Sequence, residues 1–200
     1  YTDNVVDLMV GKLNRLPADT RNALQKLACL GNGAGFAMLR IVYSEEMHGQ
    51  LWEAVRAGLI LRSEDSYKFL HDRVQEAAYS LIPEESRAEG HLRIGMLLAA
   101  QTPPEKLEET IFEIVNQLNL GSHLITSIEE LEWVAELNFI AGRRAKTSTA
   151  YASALNYLVS GAALLPGDSW ERRHDLIFEL ELHRADCEFL TGALAGAEQR

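Results

Sequence analysis

Apolar residues recur at helical spacing along most of the chain and change to short β-prone runs in one place. Val6, Met9, Val10 and Leu13 share a helical face within Asp3–Leu16, and Leu16-Pro17-Ala18-Asp19-Thr20 reads as the start of a second helix carrying Leu24, Leu27, Ala28 and Leu30. Gly31-Asn32-Gly33-Ala34-Gly35 then punctuates the chain, and a short apolar segment, Phe36 to Tyr43, follows. Ser44-Glu45-Glu46-Met47 predicts a helix capped by Ser44, with an acidic first turn that suits the helix dipole and an end near Gly58.

After Gly58 the runs Leu59-Ile60-Leu61-Arg62 and Tyr67-Lys68-Phe69-Leu70 flank the polar turn Ser63-Glu64-Asp65-Ser66, the pattern of a β-hairpin. Three helices followed by a hairpin is the element order of a winged-helix domain. The helix with Val74, Ala77, Ala78 and Leu81 would close it, and Ile82-Pro83-Glu84-Glu85 marks a module boundary. The expected organisation is a winged-helix-like domain over residues 1–82 and a second module over 83–200.

That second module reads as helices alone, at Glu84–Gln101, Pro104–Asn119, Ser127–Arg144, Thr147–Leu165 and Ser169–Thr191. Breaks fall at Thr102-Pro103-Pro104, Gly121-Ser122, the Lys146 region and Pro166-Gly167-Asp168. Gly142, Ala145, Ala154, Leu158, Gly161 and Pro166 follow tetratricopeptide spacing, in which small residues let two antiparallel helices approach closely. Ala145 stands where that repeat has a tyrosine, and the next candidate, around Ala185 and Gly192, is offset from the period. The fold class expected is mainly α, a winged-helix-like domain with a short hairpin followed by a tetratricopeptide-like helical array.

Composition narrows the function classes. With 47% hydrophobic and 24% charged residues the chain is globular, and no apolar run approaches the roughly 20 residues that span a bilayer. A formal net charge of −10 opposes binding to nucleic acid or anionic lipid, since Arg143-Arg144 and Arg172-Arg173 are scattered pairs and not a basic face. Cys29 and Cys187 lie far apart in apolar helical patterns and read as buried thiols of a reducing cytoplasm. The chain opens on Tyr1 without a leader and stops at Glu198-Gln199-Arg200 on an unfinished helical pattern, so it reads as part of a longer protein.

Catalytic signatures are missing. The glycine cluster at Gly31–Gly35 follows a helix and lacks a Gly-Lys-Ser/Thr ending, so it reads as a turn and not a phosphate loop. His48, His91, His123, His174 and His183 stand singly and read as surface or cap histidines. His174 and His183 are nine residues apart, two and a half helical turns, which places them on opposite faces and excludes a shared metal. His71-Asp72 is the exception, because it sits where a strand passes to a helix. There His71 can face a groove while Asp72 caps the following helix through its backbone N–H groups; from the residues alone the pair reads first as a structural strand-to-helix corner and second as a ligand site.

The run Phe69-Leu70-His71-Asp72-Arg73-Val74-Gln75-Glu76-Ala77-Ala78-Tyr79-Ser80-Leu81-Ile82 resembles the segment after the nucleotide-binding domain of signal-transducing ATPases with numerous domains, in the branch fused to bacterial multi-sensor kinases. His91-Leu92-Arg93-Ile94-Gly95, Ile111-Phe112-Glu113-Ile114-Val115-Asn116-Gln117-Leu118-Asn119, Ala145-Lys146-Thr147-Ser148-Thr149-Ala150-Tyr151, Leu164-Leu165 and Asp168-Ser169-Trp170 carry the resemblance further. It implies a winged helix plus the first part of a helical arm. Related ATPases such as NOD-like receptors hold the β-phosphate of ADP with the histidine of a Met-His-Asp motif. Leu70-His71-Asp72 stands in that place with Leu for Met, which implies His71 as nucleotide sensor and Asp72 as its support.

By that resemblance the segment is a regulatory, non-catalytic part of a cytoplasmic, ATP-dependent sensor histidine kinase of a two-component system. Its partners would be an upstream nucleotide-binding domain and downstream sensor and kinase domains of the same chain. ATP or ADP with magnesium would be the cofactor of the parent, and this segment would hold none. A serine/threonine kinase or transcription-factor parent stays open. Two other readings compete, a transcription regulator and a protein-binding scaffold on the helical repeats. The DNA-reading helix would be Ser44–Gly58, but its Glu45, Glu46 and Glu53 against Arg56 repel phosphate.

Overall fold

The computed structural model describes residues 2–167 and 169–193. Asp168 of the predicted break and the Glu198-Gln199-Arg200 terminus lie outside the described residues. The protein is mainly helical with one small three-stranded sheet, and it divides into two compact units, Tyr1–Gly90 and His91–Arg200.

The first unit contains α1 (Thr2–Leu13), α2 (Ala18–Cys29), β1 (Gly33–Gly35), α3 (Phe36–Val42), α4 (Met47–Arg56), β2 (Ile60–Arg62), β3 (Ser66–Phe69) and α5 (Asp72–Ser80). In α2 the residues Ala23, Leu24, Leu27 and Ala28 are buried, as their spacing requires for a single core-facing stripe. They join Leu13, Leu51, Ile60, Tyr67, Phe69 and Val74 in one core. Each fully buried Leu or Phe there contributes about 1.5–3 kcal/mol of transfer free energy.

Three sequence expectations are corrected in this unit. The Gly31–Gly35 segment is a turn only at its start, where Gly31 adopts φ +105° after the end of α2; Gly33–Gly35 forms β1. Phe36–Val42 is a helix, so four helices and a strand precede the hairpin, not three helices. Ser44 caps nothing through its side chain, because α4 begins at Met47 after Glu46.

The sheet has the order β1-β3-β2, antiparallel throughout. Gly33, Ala34 and Gly35 lie opposite Lys68, Tyr67 and Ser66, while Ile60 and Arg62 lie opposite Phe69 and Tyr67. Along β3, Tyr67 and Phe69 are buried and Lys68 between them is exposed, the two-residue alternation of a half-buried strand. Tyr67 is 1% exposed, and its hydroxyl lies 3.2 Å from His48 Nδ1. Burial raises the pKa of that phenol above its ordinary value, partly offset by Arg62.

α6 (Glu84–Gln101) begins in the first unit and supplies the second unit with His91, Ile94, Gly95 and Leu98, all buried. The rest of the second unit is a 3₁₀ turn at Pro104–Lys106, α7 (Leu107–Gly121), a second 3₁₀ turn at Ser122–Leu124, α8 (Ile128–Thr147), α9 (Tyr151–Ala163), α10 (Ser169–Arg172) and α11 (His174–Leu190). Ser127 caps α8 by accepting from the Glu130 N–H at 3.3 Å, at the boundary the sequence predicts. α8 and α9 form a tight antiparallel hairpin. A Cβ on Gly142 would fall 2.7 Å from Leu158, and one on Gly161 would fall 3.0 Å from Asn138 Cβ and 3.2 Å from the Ala135 carbonyl. Gly192 plays no such packing part; it follows the end of α11 at φ +83°, with open space around it.

Candidate functional site

The corner between β3 and α5 is held by residues of α2, of the α2–β1 connection and of the segment before β2. His71 takes the N-cap position of α5 with extended backbone, φ −142° and ψ 144°, and its carbonyl accepts from the Val74 N–H at 2.9 Å. Its imidazole is exposed and makes no hydrogen bond among the described residues. Asp72 does not cap the helix, contrary to the sequence expectation; it is the first helical residue, where its charge favours the helix N-terminus. Its Oδ1 accepts from Asn32 Nδ2 at 2.9 Å.

Asn32 is the residue that sequence reasoning missed. Its carbonyl accepts from the Phe69 N–H at 2.8 Å while its amide donates to Asp72, so one side chain and one peptide brace the corner on both sides of His71. The Leu70 N–H donates to the Leu59 carbonyl at 3.0 Å, and Gln75 Nε2 donates to the Ala28 carbonyl at 3.1 Å. The backbone of His71 is therefore fixed while its side chain is left free to meet another group. The only signal for Asn32 is its place between two glycines in a segment that reads as a turn.

His91, His174 and His183 have partners elsewhere. His91 is neither a surface nor a cap residue: it is 3% exposed, with Nδ1 2.7 Å from Gln117 Oε1. His174 packs edge-on to Trp170 and stacks on Phe178, and His183 lies against Lys146 of α8. Cys29 and Cys187 are buried thiols outside any disulfide, as the sequence pattern predicts. No group of three or more His, Cys, Asp or Glu among the described residues could hold a metal ion.

His183 makes the second unit sensitive to pH. Its Nδ1 accepts from Lys146 Nζ at 2.9 Å, a bond that requires neutral imidazole, and Lys146 also pairs with Asp186 at 2.6 Å. Burial and then the Lys146 charge hold the imidazole below its ordinary range; Glu179 and Asp186 act the other way, and Arg143 adds to the lowering. The unfolded chain therefore binds this proton at higher pH than the native one, and stability is lost as pH falls from about 6.5, the unfolded value, through the lower native one. The urea midpoint of the second unit should drop between pH 7.5 and 5.5, and drop less in His183→Gln. An equal drop in both proteins would assign the effect to other groups.

Comparison with protein-family models gives no match, and no solved structure matches. A hybrid signal transduction histidine kinase G of Dictyostelium discoideum is 25% identical to the chain over 257 aligned residues. The similarity takes in 96% of this chain, and the chain spans 8% of that kinase's length. No helix among the described residues is long and apolar enough to cross a membrane.

Proposed function

We propose that this chain is a non-catalytic signal-transmitting segment of an ATP-dependent sensor histidine kinase, in which a winged-helix unit reads the nucleotide held by a neighbouring ATPase domain and a helical arm passes that state on. The similarity to a hybrid histidine kinase along nearly the whole chain supports a role in signal transduction. The winged-helix reading rests on connectivity: two helices, a strand, two further helices and a hairpin, with the first strand paired to the last in the order β1-β3-β2. The tetratricopeptide-like reading rests on the close approach at Gly142 and Gly161.

One observation carries the sensor role, namely that His71 has a braced backbone and an exposed, unengaged imidazole. An imidazole N–H can donate to a phosphate oxygen, and that contact exists only while the nucleotide is present in one state. A hinge whose two positions differ by this bond would be biased by exchange or hydrolysis, provided the ligand's affinity for the two differs. Asp72 and Asn32 support the corner without touching the ligand. Magnesium and ATP or ADP would belong to the ATPase domain.

In the parent protein, His71→Ala should weaken ADP retention roughly tenfold or more, the worth of one hydrogen bond to a charged group, and raise basal signalling. Asn32→Ala should change both in the same direction by less, since the imidazole remains. Retention of ADP and kinase output both unchanged in His71→Ala would refute the sensor role.

A further inference from the structure

Within the second unit a cleft of about 210 Å³ lies between the first turn of α7 and the last turns of α8, lined by Glu108, Ile140, Arg143, Arg144 and Thr147. The arginines are held by aromatic faces: the Arg144 guanidinium lies 5.1 Å from the Phe112 ring, which stacks on Tyr157, and that of Arg143 lies 5.6 Å from the Phe139 ring. Arg144 Nη1 is shut off from solvent and has no hydrogen-bond partner. Neither arginine forms an ion pair among the described residues, although Glu108 borders the same cleft.

We propose that this cleft is a binding site for a single oxyanion group, the carboxylate or phosphate of an acidic or phosphorylated ligand. Two guanidinium groups converge on one small cavity in a chain of net charge −10, so they are not a general anion-attracting surface. Stacking fixes the plane of the Arg144 fork before any ligand arrives, and a planar fork matches the paired oxygens of carboxylate or phosphate. Folding has already stripped water from Nη1, so an anion at the open edge gains its attraction at a lower desolvation cost. Thr147 lies beside the site with its hydroxyl committed to the Arg144 carbonyl at 2.7 Å, which holds the last turn of α8 in place. The volume is below the roughly 300 Å³ at which pockets begin to enclose whole small molecules, so the site takes a group and not a nucleotide. Glu108 opposes the anion and sets the affinity low. This site is independent of the His71 reading.

The test is a titration of the isotope-labelled 200-residue chain, followed by the Arg144 side-chain and Thr147 amide resonances. Sodium phosphate and sodium succinate are the two probes, each at an ionic strength held constant with sodium chloride. Saturable shifts with either probe are expected, and the stronger probe tells whether a phosphate or a carboxylate is the natural group. Arg144→Lys, which keeps the charge and loses the fork, should weaken binding about tenfold. Arg143→Gln, at an exposed position that leaves the fold intact, should weaken it by several fold. Glu108→Gln should tighten it by about the same factor. Linear shifts with both probes that chloride alone reproduces, or saturation unaltered in Arg143→Gln and Arg144→Lys, would overturn the site.

Discussion

Replacing Gly33 by valine is expected to unfold the sheet of the first unit. A Cβ at this position would stand 2.6 Å from the Tyr67 carbonyl oxygen and 3.1 Å from Lys68 Cα, both backbone atoms that no rotamer change can move. The strands must separate, so the change breaks the β1–β3 pairing at Gly33↔Lys68 and Ala34↔Tyr67. A cost of about 3 kcal/mol or more is expected, a large share of the ~5–15 kcal/mol that stabilises a domain. The consequence reaches the candidate site, because Asn32 adjoins Gly33 and braces the corner through Phe69 and Asp72. Amide exchange reads this directly: the Phe69 N–H, bonded to the Asn32 carbonyl, should lose its protection together with the β3 amides. Retained Phe69 protection and an unchanged denaturation midpoint would mean that β1 is peripheral to the sheet.

The same residue marks the limit of what is legible from sequence. Glu84–Gln101 is helical over the predicted span, and the hairpin falls where β-prone runs flank a polar turn, because long periodic patterns and clean turn signals act locally. β1 escapes sequence reasoning because Gly-Ala-Gly has too little side chain to show a strand period; it is a strand through its pairing with β3, which only folding brings beside it, and the Tyr67 carbonyl leaves no room for a Cβ at Gly33. Phe36–Val42 is too short for its helical period to declare itself. The break predicted near Lys146 falls at Ser148–Ala150, where Thr149 adopts φ 60°, a conformation that threonine's branching disfavours and sequence would never assign to it.

At the site the balance is similar. His71 and Asp72 stand out by their place between strand and helix, and the structure puts both at that corner. Their division of labour is not readable from sequence, since whether the helix starts at residue 72 or 73 decides which of them is the cap. The structure gives His71 the cap position without a side-chain cap bond and joins Asp72 to Asn32, forty residues earlier in the chain. In the sequence the arginine cleft is only one of two scattered basic pairs. Its content lies in Phe112 and Glu108 on another helix, a tertiary juxtaposition without local signature.

In the second unit the largest single-residue effect is expected from Asn138→Asp, an exchange of nearly identical shape. Asn138 is fully buried, and its amide is paired reciprocally with that of Asn119: Asn119 Nδ2 donates to Asn138 Oδ1 at 2.9 Å, and Asn138 Nδ2 donates to Asn119 Oδ1 at 2.8 Å and to the Val134 carbonyl at 3.0 Å. Aspartate puts an oxygen where Nδ2 stood, facing two acceptors with no proton between them, and at neutral pH it puts a buried negative charge there without a cation. About 3–5 kcal/mol is the usual cost of an unpaired buried charge. Steric relief is not available, because Gly161 holds α9 against the Asn138 Cβ. Burial raises the pKa of the introduced carboxyl in the folded state above the unfolded value of about 3.9, so the deficit is greatest above that raised value and narrows as pH falls toward about 4. Once protonated, that carboxyl would offer one O–H to the two acceptors, and part of the loss should remain. Urea unfolding of the variant against wild type at pH 7.5 and pH 4.5 measures both; a deficit that stayed constant across that range would show that the charge is solvated and that the Asn119–Asn138 pair is open to water.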